Sequence, residues 1–122
     1  MLTVIVPVYN ERKFVSIILN KLIKVKIKKL QIIVVDDCSN DGSTEILKKN
    51  FLKNKKISKI IFHKKNSGKG SAIKSAQKFI KGKYVIIQDA DLEYNPKDIT
   101  RIYNYIKKYK LKVVFSVVIA NS

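Results

Sequence analysis

The sequence is poor in acid. Nine Asp and Glu stand against 26 Lys and Arg in 122 residues, a formal net charge of +17. Cysteine occurs once, as Cys38, which excludes an internal disulfide and suits a reducing cytoplasm. No His or base motif accompanies Cys38, so it reads as a small turn residue rather than a nucleophile. Glycine (4) and proline (2) are scarce while apolar residues reach 46%, the balance of a globular chain rather than a disordered one. No run approaches the roughly 20 apolar residues of a membrane span. The opening MLTVIVPVYNE has no charged leader and turns polar at Asn10, the pattern of a first strand and not of a signal peptide. Repeats, low-complexity stretches and Pro/Ser-rich linkers are missing too, so residues 1–122 are expected to form one domain with a real core. The GxxxxGK[ST] spacing of a P-loop does not occur, and neither does GxGxxG, which counts against a dinucleotide oxidoreductase.

The excess of Lys is spread along the whole chain. Its plain meaning is a set of solvated helix faces. Its sharper meaning is attraction to an anionic membrane surface or a phosphorylated substrate. Aromatic platforms interleaved with basic residues are not evident, so a nucleic-acid partner is not expected.

Apolar runs predict strands at 2–8, 31–37, 57–63, 83–89 and 111–119, with helices near 11–26, 42–53, 69–81 and 96–109. The runs at 2–8 and 31–37 are almost continuously apolar, as in a sheet covered on both faces. The 69–81 segment places Ala72, Ile73, Ala76, Phe79 and Ile80 on one helical face and Lys74, Lys78 and Lys81 on the other. Tyr94, Tyr103, Tyr105 and Tyr109 suit a helix turned to the core or its rim. Alternating strand and helix at this spacing predicts a parallel α/β sheet with right-handed crossovers.

The few acids are concentrated. Seven of the nine follow three of the apolar runs: Glu11 after the first, Asp36, Asp37 and Asp41 after the second, Asp89, Asp91 and Glu93 after the fourth. In a parallel sheet the loops after the strands share one edge, and ligands bind there, where strand order reverses. Tyr9, Glu11, Asp37, Asp89 and Asp91 should therefore converge.

Each motif has a structural and a chemical meaning. Asp89-Ala90-Asp91 leaves a strand with two carboxylates on one side, a pair suited to a divalent cation shared with substrate phosphates. Glu93 is near enough to add a ligand; turn-making or capping is the alternative. Of Asp36 and Asp37, one could accept from a base edge or ribose hydroxyl while the other caps the next segment. Nucleotide contact is expected for Asp37, and structural roles for Asp36 and Asp41. Pro7 fixes the exit of the first strand, Tyr9 could lie against a base, and Glu11 could accept from ribose or favour a helix start. Asn66-Ser67-Gly68-Lys69-Gly70 could offer backbone N–H groups and the Lys69 charge to an anion at a helix start, or simply cap and pack that helix. His63, ending an apolar strand, reads as a packing residue.

TVIVPVYNE, IIVVDDCSNDGSTEIL, NSGKGSAIKSA and YVIIQDADLEYNP, in this order, resemble the nucleotide-binding half of family 2 glycosyltransferases over residues 2 to about 115. They are most similar to the dolichyl-phosphate mannosyltransferase and polyprenyl-phosphate glycosyltransferase branch. The resemblance implies a GT-A fold, a GDP- or UDP-sugar donor, Mg2+ or Mn2+, and inverting transfer to a polyprenyl or dolichyl phosphate or another glycan-pathway acceptor. It also implies base and ribose contacts from Pro7, Tyr9, Glu11, Val35 and Asp37, sugar and diphosphate contacts from Asp89, Ala90 and Asp91, and a metal at Asp89, Asp91 and Glu93. Glu93 stands where Gln is common in that branch. Family members run longer, and VVFSVVIANS lacks the Gly-Ser-Arg segment typical of the mannosyltransferases. The chain is thus expected to be the donor-binding part of a truncated GT-A domain, cytoplasmic or at the cytoplasmic membrane surface. The alternative is a non-catalytic nucleotide-sugar-binding module that associates with itself or a partner chain through its apolar C-terminal strand.

Overall fold

The first strand forms the centre of the sheet because its residues are apolar on both faces. β1 (Leu2–Val8) pairs in parallel with β2 (Leu30–Asp36) on one side and with β4 (Tyr84–Ile87) on the other. β3 (Lys59–Phe62) adds to the far side of β2. The order is β3-β2-β1-β4. The structure is a computed structural model that describes residues 1–90 and 95–109; the strand expected at 111–119, with the association expected from it, and Asp91, Glu93 and Tyr94 lie outside the described residues.

Side-chain alternation sorts the core into two layers. Leu2, Val4, Val6 and Val8 of β1, with Ile32 and Val34 of β2 and Tyr84 and Ile86 of β4, face one cluster. It is closed by α1 (Val15–Ile23), by α2 (Ser43–Ile46) continued through a π-helical turn at Leu47–Phe51, and by α4 (Asp98–Tyr109). Ile5, Ile33, Val35 and Ile87 face the other cluster, under α3 (Lys69–Gln77). The change of face follows from handedness. The β1–α1–β2–α2–β3 path moves one way along the sheet, whereas β3–α3–β4 crosses back, so a right-handed crossover places α3 on the opposite side.

Among the described residues the predicted elements are present: β1 has its predicted span, β2 is shifted by one residue, and the others are shorter. α1 starts at Val15 rather than 11 because Asn10 has a positive φ of 52°. The next two N–H groups are then bound outside a helix: Glu11 N donates to Ser43 Oγ (3.0 Å) and Arg12 N to Asp41 Oδ2 (3.1 Å). On α3, Ala72 and Ala76 are fully buried, Ile73, Phe79 and Ile80 pack against them, and Lys74, Lys78 and Lys81 face solvent, as the pattern requires. In α4, Ile99 and Ile106 enter the core and Tyr103 meets Tyr84 edge-on at 6.2 Å. Tyr105 and Tyr109 depart from expectation, being 58% and 55% exposed; they stack on each other at 4.6 Å on the outer face.

A neutral polar network ties the amino ends of the strands together. Thr3 Oγ1 donates to Gln31 Oε1 (2.7 Å) and accepts from Gly82 N (2.9 Å). Gln31 Oε1 also accepts from Lys81 N (2.8 Å), and its amide donates to Phe79 O (2.7 Å). Both side chains are buried and both are bonded, so their burial carries little penalty.

Candidate functional site

Strand order reverses between β1 and β4, and at the carboxyl ends of these strands lies a cavity of about 160 Å³. Pro7, Val8, Tyr9 and Glu11 wall it from β1, Asp37 from β2, Lys69 and Ala72 from α3, Asp89 and Ala90 from the end of β4. Seven residues singled out from the sequence (Pro7, Tyr9, Glu11, Asp37, Lys69, Asp89 and Ala90) thus share one cavity. Val35 does not. It is fully buried and packs under α3 with Ile5, Ile33 and Ala72, so its side chain does not wall the cavity.

Adjacent acids at the end of β2 divide the work. Asp36 turns into its own loop, where Oδ1 accepts from Ser39 N (3.2 Å) and Ser39 Oγ (2.6 Å), and Oδ2 from Thr44 Oγ1. Asp37 points across to the α3 entry. Its Oδ1 accepts from His63 Nδ1 and Ser67 N, and its Oδ2 from Gly68 N, each at 2.8 Å. Burial works to raise the Asp37 pKa, but these hydrogen bonds and the nearby imidazole outweigh it and hold the carboxyl below the usual range. Asp41 behaves likewise. Burial opposes its charge, and hydrogen bonds from Ser43 and Arg12 N overcome that opposition. Both Asp36 and Asp41 therefore organise loops.

The SGKG segment turns two of its backbone donors inward. Gly68 takes a positive φ of 94° just before α3, and the N–H groups of Ser67 and Gly68 are taken by Asp37. The anion bound by these two groups is the protein's own carboxylate. Lys69 remains at the cavity, where its Nζ lies 2.6 Å from Asp89 Oδ1, with the two side chains 51% and 32% exposed. Asp89 is a hard oxygen donor beside the cavity, already attracting a cation, which is the chemistry a divalent metal requires. Among the described residues no group of three metal-ligating side chains assembles; the other expected ligands, Asp91 and Glu93, lie outside them.

His63 was undervalued by its sequence context. Rather than an apolar packing residue, it is a polar link: Nδ1 bonds Asp37 Oδ1 (2.8 Å) and Nε2 bonds Ser75 Oγ (2.7 Å). The available signal was its position directly after β3, on the same edge as the acids. Ser75, in the middle of an amphipathic helix, gave none. Cys38 lies in the loop after β2 with a positive φ of 62°.

A parallel α/β sheet with a cavity at its switch point places the cavity where folds of this class take a ligand. The sequence matches the family described as Glycosyl transferase family 2 over residues 3–122, and the chain belongs to that family. A protein of Methanocaldococcus jannaschii without an assigned function is 33% identical over 93% of this chain and 50% of its own length. The undecaprenyl-phosphate 4-deoxy-4-formamido-L-arabinose transferase of Edwardsiella ictaluri is 36% identical over 82% of this chain and 32% of its own. The dolichyl-phosphate beta-glucosyltransferase of Saccharomyces cerevisiae is 32% identical over 88% and 34%. The chain thus spans half the length of the first relative and about a third of the other two.

Solved structures agree on the fold. Staphylococcus aureus TarS, in complex with UDP-GlcNAc, superposes with a TM-score of 0.73 at 31% identity, over 89% of this chain and 32% of that one. A Pyrobaculum calidifontis mannosyltransferase in complex with GDP-Man and Mn2+ gives 0.67 at 28% identity, over 74% and 27%. The architecture is GT-A.

Proposed function

We propose that the chain is the donor-binding part of an inverting glycosyltransferase that takes a UDP- or GDP-sugar. The observation that carries this proposal is the single cavity shared by Tyr9, Glu11, Asp37, Lys69, Asp89 and Ala90 at the switch point of the sheet. Tyr9 is 42% exposed at its wall and offers a ring face to the base. Glu11 and Asp37 accept hydrogen bonds from base and ribose. Lys69 and the β4 end take the diphosphate and sugar. Structural neighbours bound to UDP-GlcNAc and GDP-Man support a nucleotide-sugar donor.

Mg2+ or Mn2+ would be held by Asp89 with Asp91 and Glu93, and a neighbour containing Mn2+ supports that assignment. When bound, the ion offsets negative charge on the departing diphosphate. The names of the undecaprenyl-phosphate and dolichyl-phosphate relatives favour a lipid-phosphate acceptor. Such an acceptor is already anionic and needs no strong general base; its oxygen would attack the anomeric carbon from the face opposite the nucleotide. The charge of +17 would draw the protein to an anionic leaflet, consistent with work at the cytoplasmic membrane surface. No helix among the described residues is long and apolar enough to cross a membrane.

Isothermal titration with UDP-glucose and GDP-mannose, with and without Mn2+, tests the donor assignment. Metal-dependent binding of at least one is expected; a folded sample that binds neither refutes the proposal.

A further inference from the structure

His63 contributes to a site it does not line. Its main-chain N–H donates to Asp36 O at 2.8 Å, so the β2–β3 register fixes where the ring begins. Its side chain is 12% exposed, with one ring nitrogen on Asp37 Oδ1 and the other on Ser75 Oγ. A carboxylate accepts only, so Nδ1 carries the hydrogen toward Asp37, and Nε2 is held by the Ser75 hydroxyl.

A carboxylate has about four acceptor positions, two on each oxygen. On Asp37, Oδ1 receives His63 and Ser67 N and is full, while Oδ2 receives Gly68 N alone. One position on Oδ2 remains for a ligand. We propose that His63, steadied by Ser75, is a specificity-determining positioning residue, which withholds Oδ1 so that Asp37 can meet a base through a single N–H donor.

This inference rests on the donor-site assignment above and narrows it. Uracil presents one N–H between two carbonyls, whereas guanine presents a ring N–H beside an amino group, a pair that bonds best to two carboxylate oxygens. The site therefore selects a uridine diphosphate over a guanosine diphosphate.

Titration of the full chain with UDP and with GDP, both in the presence of Mn2+, tests the inference. The unmodified chain should bind UDP roughly tenfold tighter, the effect of one charged hydrogen bond. His63→Phe keeps a ring but frees one of the two acceptor positions on Oδ1, and should close the gap by strengthening GDP relative to UDP. His63→Asn, which retains a donor, should preserve it. Ser75→Ala should narrow the ratio and Ser75→Thr restore it. A purely structural role would weaken both nucleotides alike and leave the ratio unchanged, which overturns the inference. So does equal or tighter GDP binding by the unmodified chain, a result that stands even if His63→Phe does not fold. A folded chain that binds neither nucleotide removes the donor-site assignment itself, and this inference with it.

Discussion

The two edges of the sheet are chemically opposite. At the amino edge, Thr3, Gln31, Lys81 and Gly82 close a set of neutral hydrogen bonds that need no ligand. At the carboxyl edge, Asp37 and Asp89 are charged groups whose partners are an imidazole, two loop N–H groups and a lysine at a cavity. The first edge can only hold the domain together. The second holds it together less completely, and its remaining acceptor capacity is what a ligand can use.

The largest test of that contrast is Asp37→Ala. It leaves His63, Ser67 N and Gly68 N without their acceptor and should cost about 3 kcal/mol, with nucleotide binding lost as well. Chemical denaturation and titration read both effects. Gly82→Ala should strike the other edge alone. Its Cβ would lie 2.5 Å from Thr3 Oγ1 and 2.6 Å from Thr3 N, an overlap expected to cost about 2 kcal/mol. Its thermal midpoint should fall while the affinity of the folded fraction for UDP stays unchanged; a loss of affinity would show that the edges are coupled.

Acid sharpens the same comparison. Asp37 and Asp41 have lowered pKa values in the folded chain, so their contribution is complete above the unfolded carboxylate range and is lost as pH falls through the lower folded values. The thermal midpoint should drop below about pH 4, with a shallower drop in Asp37→Asn. The neutral amino edge supplies no part of this slope. Lys69→Ala should have the smallest effect on stability, under about 1 kcal/mol for a half-exposed pair. It should nevertheless weaken UDP binding roughly tenfold if the lysine meets the diphosphate. An unchanged affinity would assign Lys69 to the Asp89 pair alone.

Much of this was legible in the sequence because strand residues here are apolar nearly without interruption, and because a parallel sheet gathers its strand-end loops on one edge. That rule placed Tyr9, Glu11, Asp37 and Asp89 together without coordinates. Period-two alternation could also have placed the Val35 side chain. It shares a face with Ile33, toward α3, while Asp36 shares the other with Ile32 and Val34. Two things lay beyond local pattern. The start of α1 depends on hydrogen bonds from Glu11 and Arg12 to residues 32 and 29 positions away. The His63 link depends on strand register and on a serine one and a half turns into α3, neither of which leaves a periodic trace.

β1 sits between β2 and β4, with Leu2 opposite both Leu30 and Tyr84. The cavity belongs to the β1–β4 junction, so it cannot exist on a nascent chain until residues beyond 84 have left the ribosome. Closing a contact across so many residues is slow compared with local helix formation. Pairing of β4 with β1 and formation of the cavity therefore arrive in one late step, and an emerging fragment that ends before β4 would lack the cavity.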